Sequence, residues 1–351
     1  MNKPLDGFAH TVLGPISPKK IGMTSTHEHI LIDFLCMFQE PKELSQRNMA
    51  FQQITTQNLN WVRYNMWNSH DNLQLTDENT AIDEVDLFKK AGGRTIVDAT
   101  TIGINRNPEA LVRISSATGI NIIMGAGYYV DSVHPPEVEK KTVSELTTQI
   151  TNEILEGISP TQIKAGIIGE IGCSWPLTKN EQKILCASAQ AQNKTGSPIL
   201  IHPGRNEKAP LEILNILENE GAHADRIIMS HMDRTFETFD SILNFAQRGS
   251  YLEYDLFGWE TSYYPLSPAY IPTDAKRLEF MKELINNGFS KQLVVGQDIF
   301  SKHRLTKYGG QGYSHIIKNI IPRMKDTGFT NETIQLIFID NPQRILTFSP
   351  I

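Results

Sequence analysis

Eight short runs rich in Ile and Val alternate with amphipathic helical segments along most of the chain, and this beat predicts an α/β protein, a single (β/α)8 TIM barrel. The runs are apolar at nearly every position, so both faces of each strand are covered, as in a parallel sheet wrapped by helices. No Gly-rich phosphate turn follows the first run, where an open doubly wound sheet would normally carry one. A chain of 351 residues suits one such barrel with insertions. No linker or low-complexity stretch divides it, so a single domain over 1–351 is expected.

Taken in order, segment 10–22 sets turn residues between two short apolar pieces and reads as a small hairpin closing the bottom of the barrel. The first strand is expected at 21–33. A long polar and aromatic insertion, 34–75, follows it, with helical spacing at Asn58, Trp61, Val62 and Met66. A helix is expected over 77–91, opened by Thr76 and closed by Gly92 and Gly93. The other seven strands are expected at 94–101, 121–128, 165–172, 198–203, 226–231, 250–257 and 292–298.

Composition excludes several classes of function. A net charge of −6 argues against a nucleic-acid or acidic-membrane partner. No apolar run approaches the roughly 20 residues of a membrane span, and the first residues lack the charged and apolar regions of a secretory signal. Cys36, Cys173 and Cys186 are too widely spaced to suggest a disulfide framework. A cytoplasmic location is expected.

The run Thr26-His27-Glu28-His29 organises the functional reading. On an extended strand, period two puts His27 and His29 on one face, where two imidazoles make half of a metal site. Active-site side chains of a barrel project from the C-terminal ends of its strands. Scanning those ends adds Glu170 on strand 4, His202 on strand 5, His231 on strand 6 and Asp298 on strand 8. Any one of these could be a cap or a rim charge; together they read as a ligand set. Six nitrogen and oxygen donors suit two divalent metal ions, Zn²⁺ first, with Mn²⁺, Co²⁺ or Fe²⁺ as alternatives. Glu170 is assigned as the bridge, His27, His29 and Asp298 to the more buried ion, and His202 and His231 to the more exposed one.

These residues resemble the ligand set of the phosphotriesterase branch of the amidohydrolase superfamily. The resemblance extends nearly end to end and is carried by the blocks 166–178, 201–205, 230–235, 251–258 and 307–315. It implies a barrel with a dinuclear metal centre and hydrolysis of an N-acyl amide, with N-acetyltaurine and related N-acetylated amino acids as the substrate class. Two departures from the organophosphate-cleaving relatives stand out. Those enzymes bridge their metals with a carbamylated lysine on strand 4, whereas the matching region here reads Gly169-Glu170. Lys164 lies on the same face but six residues earlier, roughly 20 Å toward the strand's start. On strand 7 the phosphotriesterases and lactonases present a His or Arg, and Tyr254 to Phe257 offers neither. A lactonase or phosphotriesterase-like esterase is therefore the alternative function rather than the leading one.

In the expected mechanism, a hydroxide shared by the two ions attacks the acyl carbonyl, and Asp298 accepts its proton and passes it to the leaving amine. The partner is a small N-acyl amide with an anionic end, and a homodimer is the assembly allowed for. Arg205 and Arg234, each three residues past a histidine ligand, are candidates to hold that end, with Lys302 and Arg304 as alternatives. The competing role for both arginines is to brace the barrel rim. Tyr128, Trp175, Tyr254 and Trp259 are candidate pocket walls. Segment 34–75 is expected to form either a lid or an extra packed layer, and Cys173 to be a buried, inert thiol.

Overall fold

The computed structural model describes residues 6–261, 264–266 and 271–350. Its centre is an eight-stranded sheet in which every neighbouring pair is parallel. The strands are β1 (Thr24–Glu28), β2 (Thr95–Asp98), β3 (Asn121–Ala126), β4 (Ile167–Gly172), β5 (Ile199–His202), β6 (Ile227–Met229), β7 (Tyr251–Tyr254) and β8 (Leu293–Val295). The two edge strands meet through side chain and loop rather than a full ladder. Thr26 Oγ1 donates to Val295 O at 2.9 Å, and the Asp298 N–H donates to His27 O at 3.0 Å. The fold is the α/β barrel that the alternating pattern predicts.

Side chains along the strands alternate between two apolar environments, as the pleat requires. Val97, Ile123, Ile167, Leu200, Ile228, Tyr251 and Val294 cluster in the lower lumen with Ala9, Ile21, Ile345 and Leu346. Their neighbours Ile96, Ile122, Ile168, Ile199, Ile201, Met229, Leu252, Leu293 and Val295 belong instead to the layer shared with the helices. The hairpin Ala9–Thr11/Gly14–Ile16 lies at the bottom, with Ala9 in the lumen cluster. Close strand packing needs Gly169, since a Cβ there would stand 2.1 Å from Leu200 O and its φ is +119°.

The strands are shorter than the sequence reading expects, the first covering Thr24–Glu28 rather than 21–33, and two helices also differ in their bounds. The helix expected over 77–91 spans Glu78–Lys90 and is capped by Asp77, not Thr76. One Asp77 carboxylate accepts from the Asn79 N–H through Oδ1 and from the Thr80 hydroxyl through Oδ2. In the insertion, the expected helix covers Leu59–Tyr64 and stops at Asn65; Met66 begins a 3₁₀ turn, Met66–Asn68. The insertion also holds a helix at Leu44–Ala50 and a short strand, Gln74–Leu75, antiparallel to Ile32–Asp33. Among the described residues, no helix is long and apolar enough to cross a membrane.

Candidate metal centre

At the upper end of the lumen the inward positions turn polar. His27 on β1 and His29 one residue past its end keep the period-two spacing and lie with ring centres 5.7 Å apart. His202 ends β5, and Glu170 projects from β4 beside it, where the β4–β5 register shifts between Ile168 and Ile171. His231 and Asp298 follow β6 and β8 in left-handed conformations, φ +58° and +49°. Such conformations cost energy in residues with a Cβ and collect at functional sites. The His231 N–H is held by Asp255 Oδ2 at 3.0 Å, and that of Asp298 by His27 O.

The six side chains meet in one cluster. Glu170 stands between two groups, with Oε1 3.4 Å from His29 Nε2, and Oε2 3.4 Å from His27 Nε2 and 3.1 Å from His202 Nδ1. Asp298 Oδ1 is 3.3 Å from His29 Nε2 and 3.9 Å from His27 Nε2. His231 Nε2 is 2.9 Å from His202 Nδ1 and 3.8 Å from Glu170 Oε2. The sets His27/His29/Asp298 and His27/Glu170/His231 each offer one donor atom apiece within 4.8 Å of one another.

The outer nitrogen of three imidazoles is fixed by a partner that sequence reading missed. His27 Nδ1 faces Glu253 Oε2 at 3.0 Å, His29 Nδ1 faces Thr100 Oγ1 at 3.0 Å, and His231 Nδ1 faces Asp255 Oδ1 at 2.9 Å. These acceptors put the proton on Nδ1 and leave the Nε2 lone pair for the cluster, a tautomer assigned from the hydrogen-bond network. His27 Nε2 is buried without a hydrogen-bond partner. A lone pair aimed between carboxylates, without a donor of its own, fits a cation.

Electrostatics agree. Burial alone would lower the His29 pKa, but the Asp298 and Glu170 carboxylates reverse that and lift it to about 9. Burial would likewise raise Glu170, yet His202, His27 and His231 hold it well below the usual carboxylate range. His202 is driven well down, first by burial and further by the charges of His231 and Arg234, against the pull of Glu170. Protons on His27, His29 and His231, all favoured against burial by neighbouring carboxylates, take the place of the positive charge that bound cations would bring, and would leave as the Nε2 lone pairs took up a cation.

The other candidates divide. Arg205, Arg234 and Trp259 line the cavity of about 20 Å³ above the cluster, with Phe34, Trp67, Tyr129, Tyr264 and Phe300. Trp259 also lines an adjoining cavity of about 880 Å³. Tyr128 and Tyr254 do not line the narrow cavity. Both fall on outward positions: the Tyr128 ring packs edge-on to His134 at 5.9 Å, and Tyr254 lies in the layer under the helices. The inward residues beside Tyr254 are Glu253 on β7 and Asp255 just past its end, and it is Tyr129 whose ring meets His202 at 5.1 Å. Counting by two from Tyr251 would have found Glu253 and Asp255.

Trp175 lines an outer groove with Leu211 and Phe236. Lys302 is spent on Asp71 at 2.6 Å, while Arg304 braces the rim, donating to Asp298 O at 2.7 Å and Phe257 O at 3.0 Å. Cys173 is buried and its thiol pKa is pushed well up by burial. The insertion sends Phe34 and Trp67 to the cavity, Trp67 stacking on Phe300 at 5.4 Å. Glu28, between His27 and His29, turns away from the cluster and accepts from the N–H groups of Gln297 and Ile299, at 3.1 Å each, on either side of Asp298.

The phosphotriesterase family model matches residues 8–346. The chain belongs to the phosphotriesterase family. Among its relatives, N-acetyltaurine hydrolase of Danio rerio is 44% identical over 346 residues, covering 98% of this chain and 99% of that protein. A resiniferatoxin-binding protein from Rhodobacter sphaeroides superposes with a TM-score of 0.94 at 33% identity, covering 97% and 95% of the two chains. A lactonase from Listeria monocytogenes superposes at 0.80 with 26% identity, covering 98% and 100%. Membership of the phosphotriesterase family and the His/Glu/Asp cluster support a metal-dependent hydrolase.

Proposed function

We propose that this protein hydrolyses the carbon–nitrogen bond of N-acetylated amines that carry an anionic end, N-acetyltaurine among them, and that it does so with two divalent cations, Zn²⁺ being the best suited to nitrogen and oxygen donors. One observation supports the two-ion reading: Glu170 stands between the two sets of imidazoles, Oε1 facing His29 on one side and Oε2 facing His202 on the other, with His27 also 3.4 Å from Oε2. His27, His29 and Asp298 would hold one ion and His202 and His231 the other. The substrate class follows the relative named N-acetyltaurine hydrolase.

Bound cations supply polarisation of the scissile carbonyl and acidification of water. The chain's own residues do the rest. Asp298 lines the cavity with its carboxylate ionised: burial would raise it, but the His29 hydrogen bond and the charges of His27 and His231 keep it below the ordinary value. It can therefore take a proton from the attacking water and hand it to the leaving nitrogen, which departs poorly unless protonated. Glu28 and Arg304 hold the backbone on which Asp298 turns. The aromatic wall of Phe34, Trp67 and Phe300 keeps bulk water from the acyl group.

The test is elemental analysis of purified protein together with turnover of N-acetyltaurine. About two ions per chain are expected, with activity lost on chelation and restored by zinc. Full metal content without release of taurine would sink the proposal. The likeness to the Listeria lactonase favours a second reading, a lactonase on the same centre, and a lactone panel run beside the amides separates the two. A cytoplasmic location belongs to the same proposal, supported by three free cysteines.

A further inference from the structure

Of the other arginines whose side chains are buried, Arg106 and Arg277 face carboxylates, while Arg304 has no carboxylate ion pair among the described residues but donates to the carbonyls of Asp298 and Phe257. Arg106 pairs with Glu153 at 2.8 Å, and Arg277 with Asp233 at 2.7 Å and Asp274 at 2.6 Å. Arg234 and Arg205 differ. Arg234 is only 4% exposed, yet its partners are His202 Nε2 at 3.2 Å and Pro203 O at 3.1 Å, and its Nη1 is buried with no partner. Arg205 donates Nε to the Tyr264 hydroxyl at 2.6 Å. Among the described residues no carboxylate forms an ion pair with either. Both line the cavity above the metal ligands, while the facing wall of Phe34, Trp67 and Phe300 carries no charge.

A buried guanidinium without a counter-charge is costly, and two lining one cavity repel each other. Metal binding sharpens the imbalance. His202 turns its Nδ1, not its Nε2, toward Glu170 and His231. If Nδ1 gives its lone pair to a cation, the ring proton sits on Nε2. That N–H and Arg234 Nη2 then face each other at 3.2 Å, donor against donor. Beyond the Pro203 carbonyl, Arg234 then has no acceptor among the described residues.

We infer that Arg234, assisted by Arg205, is the clamp for the anionic end of the substrate, a carboxylate or sulfonate held over His202 while the acyl group lies against the aromatic wall. The clamp rests on the amide-hydrolase reading for what the substrate is, and on the unpaired guanidinium groups for where its charge goes. An oxyanion offers Arg234 Nη1 and Nη2 two acceptors in the fork geometry that arginine prefers.

The kinetic test compares N-acetyltaurine with its uncharged counterpart N-ethylacetamide, in wild type, Arg234→Gln, Arg205→Gln and Arg234→Lys. The ratio of kcat/KM for the anionic over the neutral amide should fall about 30-fold or more in Arg234→Gln, with KM carrying the change, and less in Arg205→Gln. Arg234→Lys should recover part of the ratio, which a merely structural brace would not do. An unchanged ratio in Arg234→Gln overturns the clamp.

Calorimetric titration of ethanesulfonate into metal-free protein provides a readout independent of turnover. Wild type should bind it more tightly than the neutral ethyl methyl sulfone, and Arg234→Gln should lose that preference. Equal binding of the two probes by wild type also overturns the clamp. If ethanesulfonate binds as expected but no amide is turned over, the clamp stands and the amide reading falls. If both amides are turned over at an unaltered ratio, the outcome is the reverse.

Discussion

The lower and upper halves of the barrel lumen are built by the same strands and by the same inward-facing positions, yet they hold opposite chemistry. Below, Val97, Ile123, Ile167, Leu200, Ile228 and Val294 pack without a polar group among them. Above, one or two pleats further along, His27, Glu170, His202, Ser230, Glu253 and Asp255 are all buried. The difference teaches how charge is tolerated inside a barrel. Each polar residue is placed where another can answer it, as Glu253 Oε2 answers both His27 Nδ1 at 3.0 Å and Ser230 Oγ at 2.7 Å. The apolar floor supplies the stiffness that keeps those answers aligned.

The comparison can be broken most sharply at the top. Asp298→Asn, which keeps an oxygen donor but removes the proton acceptor, should lower kcat for N-acetyltaurine about 10²–10⁴-fold. Metal content measured in parallel should be retained; near-normal turnover at full occupancy would remove Asp298 from the chemistry. One step further from the substrate, Glu253→Gln replaces the acceptor that orients His27. Metal affinity should drop about 10–100-fold in chelator competition, and an unaltered affinity would mean that the buried carboxylate is incidental.

On the floor the expected loss is of stability alone. Leu200→Ala should cost about 2–5 kcal/mol in urea unfolding, with metal content unchanged. Metal loss there without unfolding would show that the two halves are not separable.

His303 tests a third kind of buried polar group, an imidazole with no carboxylate against it. Burial, aided by the charges of Arg304 and Arg63, lowers its pKa from 6.5 to about 3. The folded protein therefore refuses a proton that the unfolded chain accepts between these values. The stability contributed is complete above the unfolded pKa and is lost as pH falls through that window. His303→Asn should flatten the decline of the urea midpoint between pH 7 and pH 5, and parallel declines would refute the assignment. The smallest effect is expected at Tyr254, whose hydroxyl is buried without a partner in the layer under the helices. Tyr254→Phe removes an unsatisfied group, so kcat/KM should change by less than about twofold; a larger loss would bring the residue back into the site.

Much of this was legible in the sequence because it depends on period and position alone. Alternation of apolar runs with helical segments is a local property, and it led to eight parallel strands. A histidine or carboxylate after such a run falls at the mouth of a barrel whatever the loops do, which is why His27, His29, Glu170, His202, His231 and Asp298 could be named and are found together. The pocket walls were harder. Tyr128 and Tyr129 are adjacent and chemically alike, and only the pleat's phase decides which of them meets His202. Phe34, Trp67 and Phe300 come from distant stretches and reach the cavity through tertiary packing.

What the amino-acid order determined by itself is therefore the scaffold and the identity of the clustered side chains, since both follow from repeats spanning a few residues. What tertiary structure alone decided is the outer partner of each imidazole and the company each arginine keeps. Arg277 and Arg234 look equivalent along the chain, but among the described residues the fold pairs the first with carboxylates and the second with none. Pairing of buried charges depends on which distant strands and loops converge, and no local spacing encodes that convergence.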